Sequence, residues 1–158
     1  MDWMGDGYSN EDCKAVVQRF FFVEVAKHKT QEFEFLSPGA EKKTSKPVMR
    51  TPRRYTVGRC TLAIVMLDFF DDRTLPGRGS WAPAFASDTD VASFNDLWLT
   101  ADLIEACCMV NEHHPGWAIA GTYDSIGVFI WTAGSYEDRL VPPGVPTFST
   151  TSNVTAIA

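Results

Sequence analysis

Few side chains in this sequence have the type and spacing to do chemistry. Asp68, Asp71 and Asp72 cluster at the end of an apolar stretch, where carboxylates can hold a cation or divide the roles of acid and base. Glu112-His113-His114 sets two imidazoles side by side, groups that ligate metals or shuttle protons near neutral pH. Adjacent side chains in an extended segment point to opposite sides, which argues against both imidazoles reaching one ion. Ser125 and Ser135 offer hydroxyls, but neither sits in the Gly-x-Ser-x-Gly elbow that exposes a nucleophile. Pro76-Gly77-Arg78-Gly79-Ser80 lacks the length and the Gly-Lys-Ser/Thr ending of a phosphate loop and reads as a turn. No catalytic residue can be named from these patterns, and no metal or cofactor is implied. Asp68, Asp71, Asp72 and His113 define an enzymatic alternative, a small hydrolase or cyclase. Trp81, Trp117 and Trp131 define a binding alternative, since indole rings can line a sugar or lipid site.

The cysteines bear on compartment. Cys13, Cys60, Cys107 and Cys108 form an even count, widely spread, with no Cys-x-x-Cys pair and no His at zinc-ligand spacing. Disulfides are therefore expected over buried thiols, which calls for an oxidising compartment. Left reduced, they are candidate nucleophiles, with His113 near Cys108 in sequence. The start, Met1-Asp2-Trp3-Met4-Gly5-Asp6, has neither the basic nor the apolar segment of a secretory leader. Either the protein is intracellular or a leader has been replaced by the starting Met. Asn153-Val154-Thr155 is a glycosylation sequon and agrees with secretion.

Composition sets the outer limits. A chain of 158 residues with 45% hydrophobic content is the size of one domain with one core, residues 1–158. No apolar run reaches the roughly 18 residues a membrane span requires, so a soluble chain is expected. The net charge of −6 hides an asymmetry: residues 1–59 hold 11 of the 14 Lys and Arg but only 8 of the 20 acidic residues. The basic residues concentrate in a segment rich in Pro, Ser and Thr, which predicts a flexible, solvated loop over residues 37–54. Nucleic-acid binding is disfavoured, because the total charge is acidic and no aromatics interleave with the basic residues to make a stacking platform.

The elements that must position these groups follow from periodicity. Ser9 with Asp12 three positions on resembles a capping box, and Cys13, Val16, Val17 and Phe20 continue at helical spacing. Phe20 to Val25 suits either a helix or a strand. Glu32 to Phe35 alternates as a half-buried strand. Tyr55 to Phe70 predicts the central strand, with Cys60, Leu62, Ile64 and Met66 on one face and Ala63, Val65, Leu67 and Phe69 on the other. A long loop follows, through Trp81 and Pro83. Ser93 with Asp96 then opens a second helix with an inner stripe of Leu97, Ala101, Ile104 and Cys108. Trp117 to Gly121 and Ile126 to Thr132 read as two strands, and residues 137–158 as an irregular Pro/Ser/Thr-rich tail. The sum is an α+β two-layer sandwich: an antiparallel sheet with two packed helices.

Five features in order resemble a family of small secreted fungal proteins, effector-like and distantly similar to α/β killer-toxin-like folds. They are Asp12-Cys13 opening a helix, Gly58-Arg59-Cys60 entering a strand, Ser93-Phe94-Asn95-Asp96-Leu97 starting a helix, Cys107 or Cys108 near its end, and Gly116-Trp117 with Gly121 and the strand Ile126 to Ile130. The resemblance spans about residues 10–132. It implies a secreted, extracellular protein that acts by binding a protein or glycan partner, with self-association open. It also implies that the second helix packs on the central strand, bringing Cys60 to Cys108 and leaving Cys13 for Cys107; the exchanged pairing, Cys13 with Cys108 and Cys60 with Cys107, stays open.

Overall fold

Ser9 begins the first helix. Its hydroxyl accepts the Asp12 backbone N–H at 3.1 Å, satisfying a donor that has no partner within the helix. The computed structural model describes residues 9–70, 74–75, 79–80, 86–110, 116–135, 138–139, 141 and 145–150. Helix α1 (Asn10–Phe20) buries Cys13, Val16, Val17 and Phe20, the stripe its spacing predicts. Phe20 to Val25 is helical rather than extended: a π-turn (Phe21–Val25) follows α1, and a last turn (Ala26–His28) ends it. The wider turn brings the consecutive residues Glu24 and Val25 inward together.

Strand β1 (Glu32–Leu36) forms as expected. The basic segment 37–54 is more ordered than its composition predicts, since it contains β2 (Val48–Arg50) and the start of β3 (Arg53–Val57). Glu34 is the reason. Fully buried in β1, it accepts the backbone N–H groups of Lys43 and Thr44 and the Thr44 hydroxyl. Burial pushes its carboxyl pKa up, but these bonds outweigh burial and hold it below the usual carboxylate range.

The expected strand from Tyr55 to Phe70 is instead a hairpin of β3 and β4 (Cys60–Met66) followed by a 3₁₀ turn (Leu67–Phe70). Gly58, at φ +54°, makes the break, because a β-carbon there would run into the Asp12 carboxylate. Along β4 and into the 3₁₀ turn the alternation holds. Cys60, Leu62, Ile64 and Met66 join the main core, while Ala63, Val65 and Leu67 join a smaller cluster with Phe129, Trp131 and Val141.

The long loop after residue 70 contains two short paired strands, β5 (Thr74–Leu75) and β6 (Gly79–Ser80), and then a buried strand, β7 (Thr89–Ser93). β7 runs directly into helix α2 (Phe94–Ile104), whose capping box is complete: Ser93 accepts from the Asp96 N–H, and the Asp96 carboxylate accepts from the Ser93 N–H. A second π-turn (Glu105–Val110) extends α2. β8 (Gly116–Ala120) and β9 (Ile126–Thr132) match the two strands expected there. The tail read as irregular contributes a strand, β10 (Val145–Thr150), which pairs parallel to β3 with a register shift between Pro146 and Phe148. A proline is tolerated at such an edge, where its missing N–H breaks no interior ladder.

The fold is α+β, as expected. A five-stranded sheet in the order β10-β3-β4-β9-β8 is antiparallel except at its β10 edge, and a second sheet, β2-β1-β7, was not anticipated. Helix α1 lies over β3 and β4, and α2 lies over β8 and β9. Phe33 and Phe35 of the smaller sheet complete the core beneath the helices. Among the described residues, no helix is long and apolar enough to cross a membrane.

Candidate functional site

Among the described residues, those that the sequence offers for chemistry do not gather at one site. Cys13 and Cys60 are disulfide-bonded, with Cα atoms 5.0 Å apart. This corrects the pairings expected with Cys107 and Cys108. Cys60 faces the helices as predicted, but the helix above that end of β4 is α1 rather than α2. Cys107 carries an exposed free thiol. Asp68 accepts the Ser37 hydroxyl. Ser125 is buried: it accepts the Ser87 N–H and donates to the Tyr123 carbonyl. Asp90 fixes the same loop by accepting the N–H groups of Tyr123 and Ser125, both at 2.9 Å. Each of these groups braces a turn.

Trp131 is buried and gives its indole N–H to Asp138 at 2.8 Å, so it is a core side chain rather than the wall of a binding surface. Trp117 is half-buried and stacks on Phe129 with centroids 5.9 Å apart. Asp71, Asp72, Trp81, Glu112-His113-His114 and the Asn153 sequon lie outside the described residues, as does the side chain of Cys108.

Two clusters emerge that the sequence did not point to, and each is set by a π-turn. At the first π-turn, Glu24 turns into the core, where one of its oxygens accepts both the Arg53 guanidinium at 2.8 Å and the Tyr55 hydroxyl. Its other oxygen lies 3.9 Å from His28 Nε2. The His28 ring stacks on Phe94 at 5.2 Å and meets the edge of Phe33. Burial lowers the His28 pKa, opposed by the Glu24 carboxylate and assisted by Lys27 and Arg53. Burial also raises the Tyr55 hydroxyl well above its ordinary value, which keeps it a neutral donor. Glu24, Arg53 and Tyr55 meet one another as donors and acceptors, with Arg53 and His28 half-buried at the edge of the core. The network pins the end of α1 to β3.

The second π-turn places Glu105 in a cleft between α1 and α2 of about 430 Å³, lined by Lys14, Val17, Gln18, Phe21, Phe22, Trp98, Asp102 and Glu105. Phe21 crosses to Trp98 edge-on with centroids 4.9 Å apart and closes one part of the wall. Phe22 stands 66% exposed at the rim. Glu105 is the opposite, only 7% exposed, and its Oε1 is buried with no hydrogen-bond partner among the described residues. Burial raises its pKa, with Lys14 pulling it back and Asp102 adding to the rise. A buried carboxylate oxygen left unpaired costs on the order of 1–3 kcal/mol, so this cleft carries an unmet electrostatic demand. Arranged this way, it can bind an apolar group that brings a donor or a positive charge. Among the described residues it holds no serine, cysteine or histidine to act as a nucleophile or base.

Compared with family models, curated proteins and solved structures, the chain matches none of them.

Proposed function

We propose that this protein is secreted, of the fungal effector-like kind its motifs resemble, and that it acts by binding rather than catalysis, through the cleft between α1 and α2. The observation that carries this reading is the cleft itself: a buried Glu105 with one carboxylate oxygen left without a hydrogen bond, beneath an aromatic wall with an exposed Phe22 at its rim. An apolar, aromatic lining with a few polar groups set into it is the usual make-up of a ligand site. The volume also falls in the range of small-ligand sites. The charged network at Glu24 does not compete for the role, because Glu24, Arg53 and Tyr55 already pair with one another.

Support for secretion comes from the core disulfide between Cys13 and Cys60. Mass spectrometry of protein from its native source, with and without reductant, should find those two cysteines linked and Cys107 alkylated without reduction; four free thiols would sink the secreted reading. For the binding reading, ligand-observed NMR with indole, p-cresol and benzylamine should detect contact with the wild type. Phe22→Ala, a change at an exposed position, should weaken that contact, while Trp117→Ala should not. Equal binding by the two variants would place the ligand surface elsewhere.

A further inference from the structure

Resting on the reading that the α1–α2 cleft is the binding site, we propose that it recognises an organic ammonium, tertiary or quaternary and carrying small apolar groups, with Glu105 as the counter-charge and Phe21, Phe22 and Trp98 as the walls of an aromatic cage.

The charges lining the cleft exclude the other ligand classes. Lys14 comes from α1, Asp102 and Glu105 from the α2 side, and among the described residues no further charged side chain lines it. The acidic groups outnumber the basic one, which disfavours an anion. β8, which also packs against the second π-turn, runs Gly116-Trp117-Ala118-Ile119-Ala120 and contributes no titratable group. Lys14 does not meet the demand of Glu105 either: no ion pair joins them, and the Lys14 side chain belongs to an exposed residue. A neutral apolar ligand would fill the volume and leave the Glu105 oxygen buried and unpaired. A hydrated metal ion would gain nothing from three aromatic faces.

An alkylated ammonium meets both conditions. Its charge compensates the carboxylate, and its weakly hydrated methyl or methylene groups rest against ring faces, whose negative quadrupole attracts them. The aromatic walls are already in contact, since Phe21 packs against both Trp98 at 4.9 Å and Phe22 at 5.6 Å. Part of the ordering cost of a cage is thereby met before a ligand arrives. Binding should favour the ionised Glu105, so affinity rises with pH as that carboxyl loses its proton.

The test uses two probes of nearly the same shape, choline and its uncharged isostere 3,3-dimethylbutan-1-ol, titrated calorimetrically into the full chain. The wild type should prefer choline by about tenfold. Glu105→Gln should abolish that preference, and its affinity for choline should lose the rise with pH. Phe22→Ala, on the rim, should weaken both probes and serves as the variant least exposed to folding defects. Equal affinity for the two probes, with both weakened by Phe22→Ala, would overturn the ammonium assignment and leave the cleft as a binding site. A choline preference that survives in Glu105→Gln would overturn the role of Glu105. Absence of binding by both probes overturns the assignment as well; if the aromatic fragments also fail to bind, the binding reading falls with it.

Discussion

Asp12 on α1 accepts the backbone N–H of Arg59 at 2.9 Å, and each of these residues precedes one half of the Cys13–Cys60 disulfide. The hydrogen bond and the covalent bond therefore run side by side from the first turn of α1 to the β3–β4 turn. Gly58 makes the approach possible, because its positive φ and missing side chain leave room for the Asp12 carboxylate. Two of the motifs in the family resemblance, Asp-Cys and Gly-x-Cys, are thus the two sides of one clamp.

Replacing Cys13 and Cys60 together by Ala should lower the unfolding free energy by about 3–4 kcal/mol, in line with a bridge spanning 47 residues of sequence. Gly58→Ala should cost roughly 1–3 kcal/mol by forcing a β-carbon toward Asp12 at positive φ. Urea unfolding of each variant measures both. A loss below about 0.5 kcal/mol in either would show that the clamp is not what fixes α1 to the sheet.

The Glu24 network predicts an asymmetry between breaking and replacing. Arg53→Ala leaves the buried Glu24 carboxylate without its cation and should destabilise by about 3–5 kcal/mol. The combined change Glu24→Met, Arg53→Met and Tyr55→Phe removes both charges without orphaning the buried hydroxyl and should recover most of that loss. A combined variant no more stable than Arg53→Ala alone would contradict it.

His28 is half-buried, stacked on Phe94 at the edge of the core, and its pKa is lowered chiefly by burial. The unfolded chain then takes up a proton near the ordinary His value of about 6.5 while the folded one resists, so stability falls as pH drops through and below that value. Between pH 7 and pH 5 the wild type should lose more stability than His28→Gln does. Parallel losses in thermal or urea unfolding would remove His28 as the source.

For Glu105 the sign is reversed. Its pKa is raised by burial, so the folded state holds the proton to higher pH, and stability is lost as the pH climbs above the ordinary carboxylate value. Glu105→Gln should therefore be more stable than the wild type at pH 7, by about 1 kcal/mol, with the advantage shrinking toward pH 4. A variant less stable than the wild type at pH 7 would mean that the carboxylate already has its partner.

Much of the scaffold was legible because it depends on local pattern. Ser93 with Asp96 announced α2, and the alternation from Cys60 to Leu67 announced a strand with two apolar faces. Where long-range groups decide the outcome, local pattern failed. The basic segment reads as solvated until Glu34 supplies acceptors for its backbone, and the break at Gly58 depends on Asp12, which is remote in sequence. Both site glutamates lie in π-turns, Glu24 in the first and Glu105 at the start of the second, and a period of 3.6 residues does not foresee a wider turn. The disulfide pairing depended on which helix covers the end of β4, and the cleft on how α1 and α2 lie beside each other. Neither is a property of any single segment.

The central claim, that the cleft between α1 and α2 is where this protein meets its ligand, is tested most directly by mapping amide chemical shifts in the full chain during titration with benzylamine. The largest changes should fall on Val17, Gln18, Phe21, Trp98 and Glu105, which line the cleft from both helices. Shifts centred instead on Trp117 and Phe129, across the sheet, would contradict it.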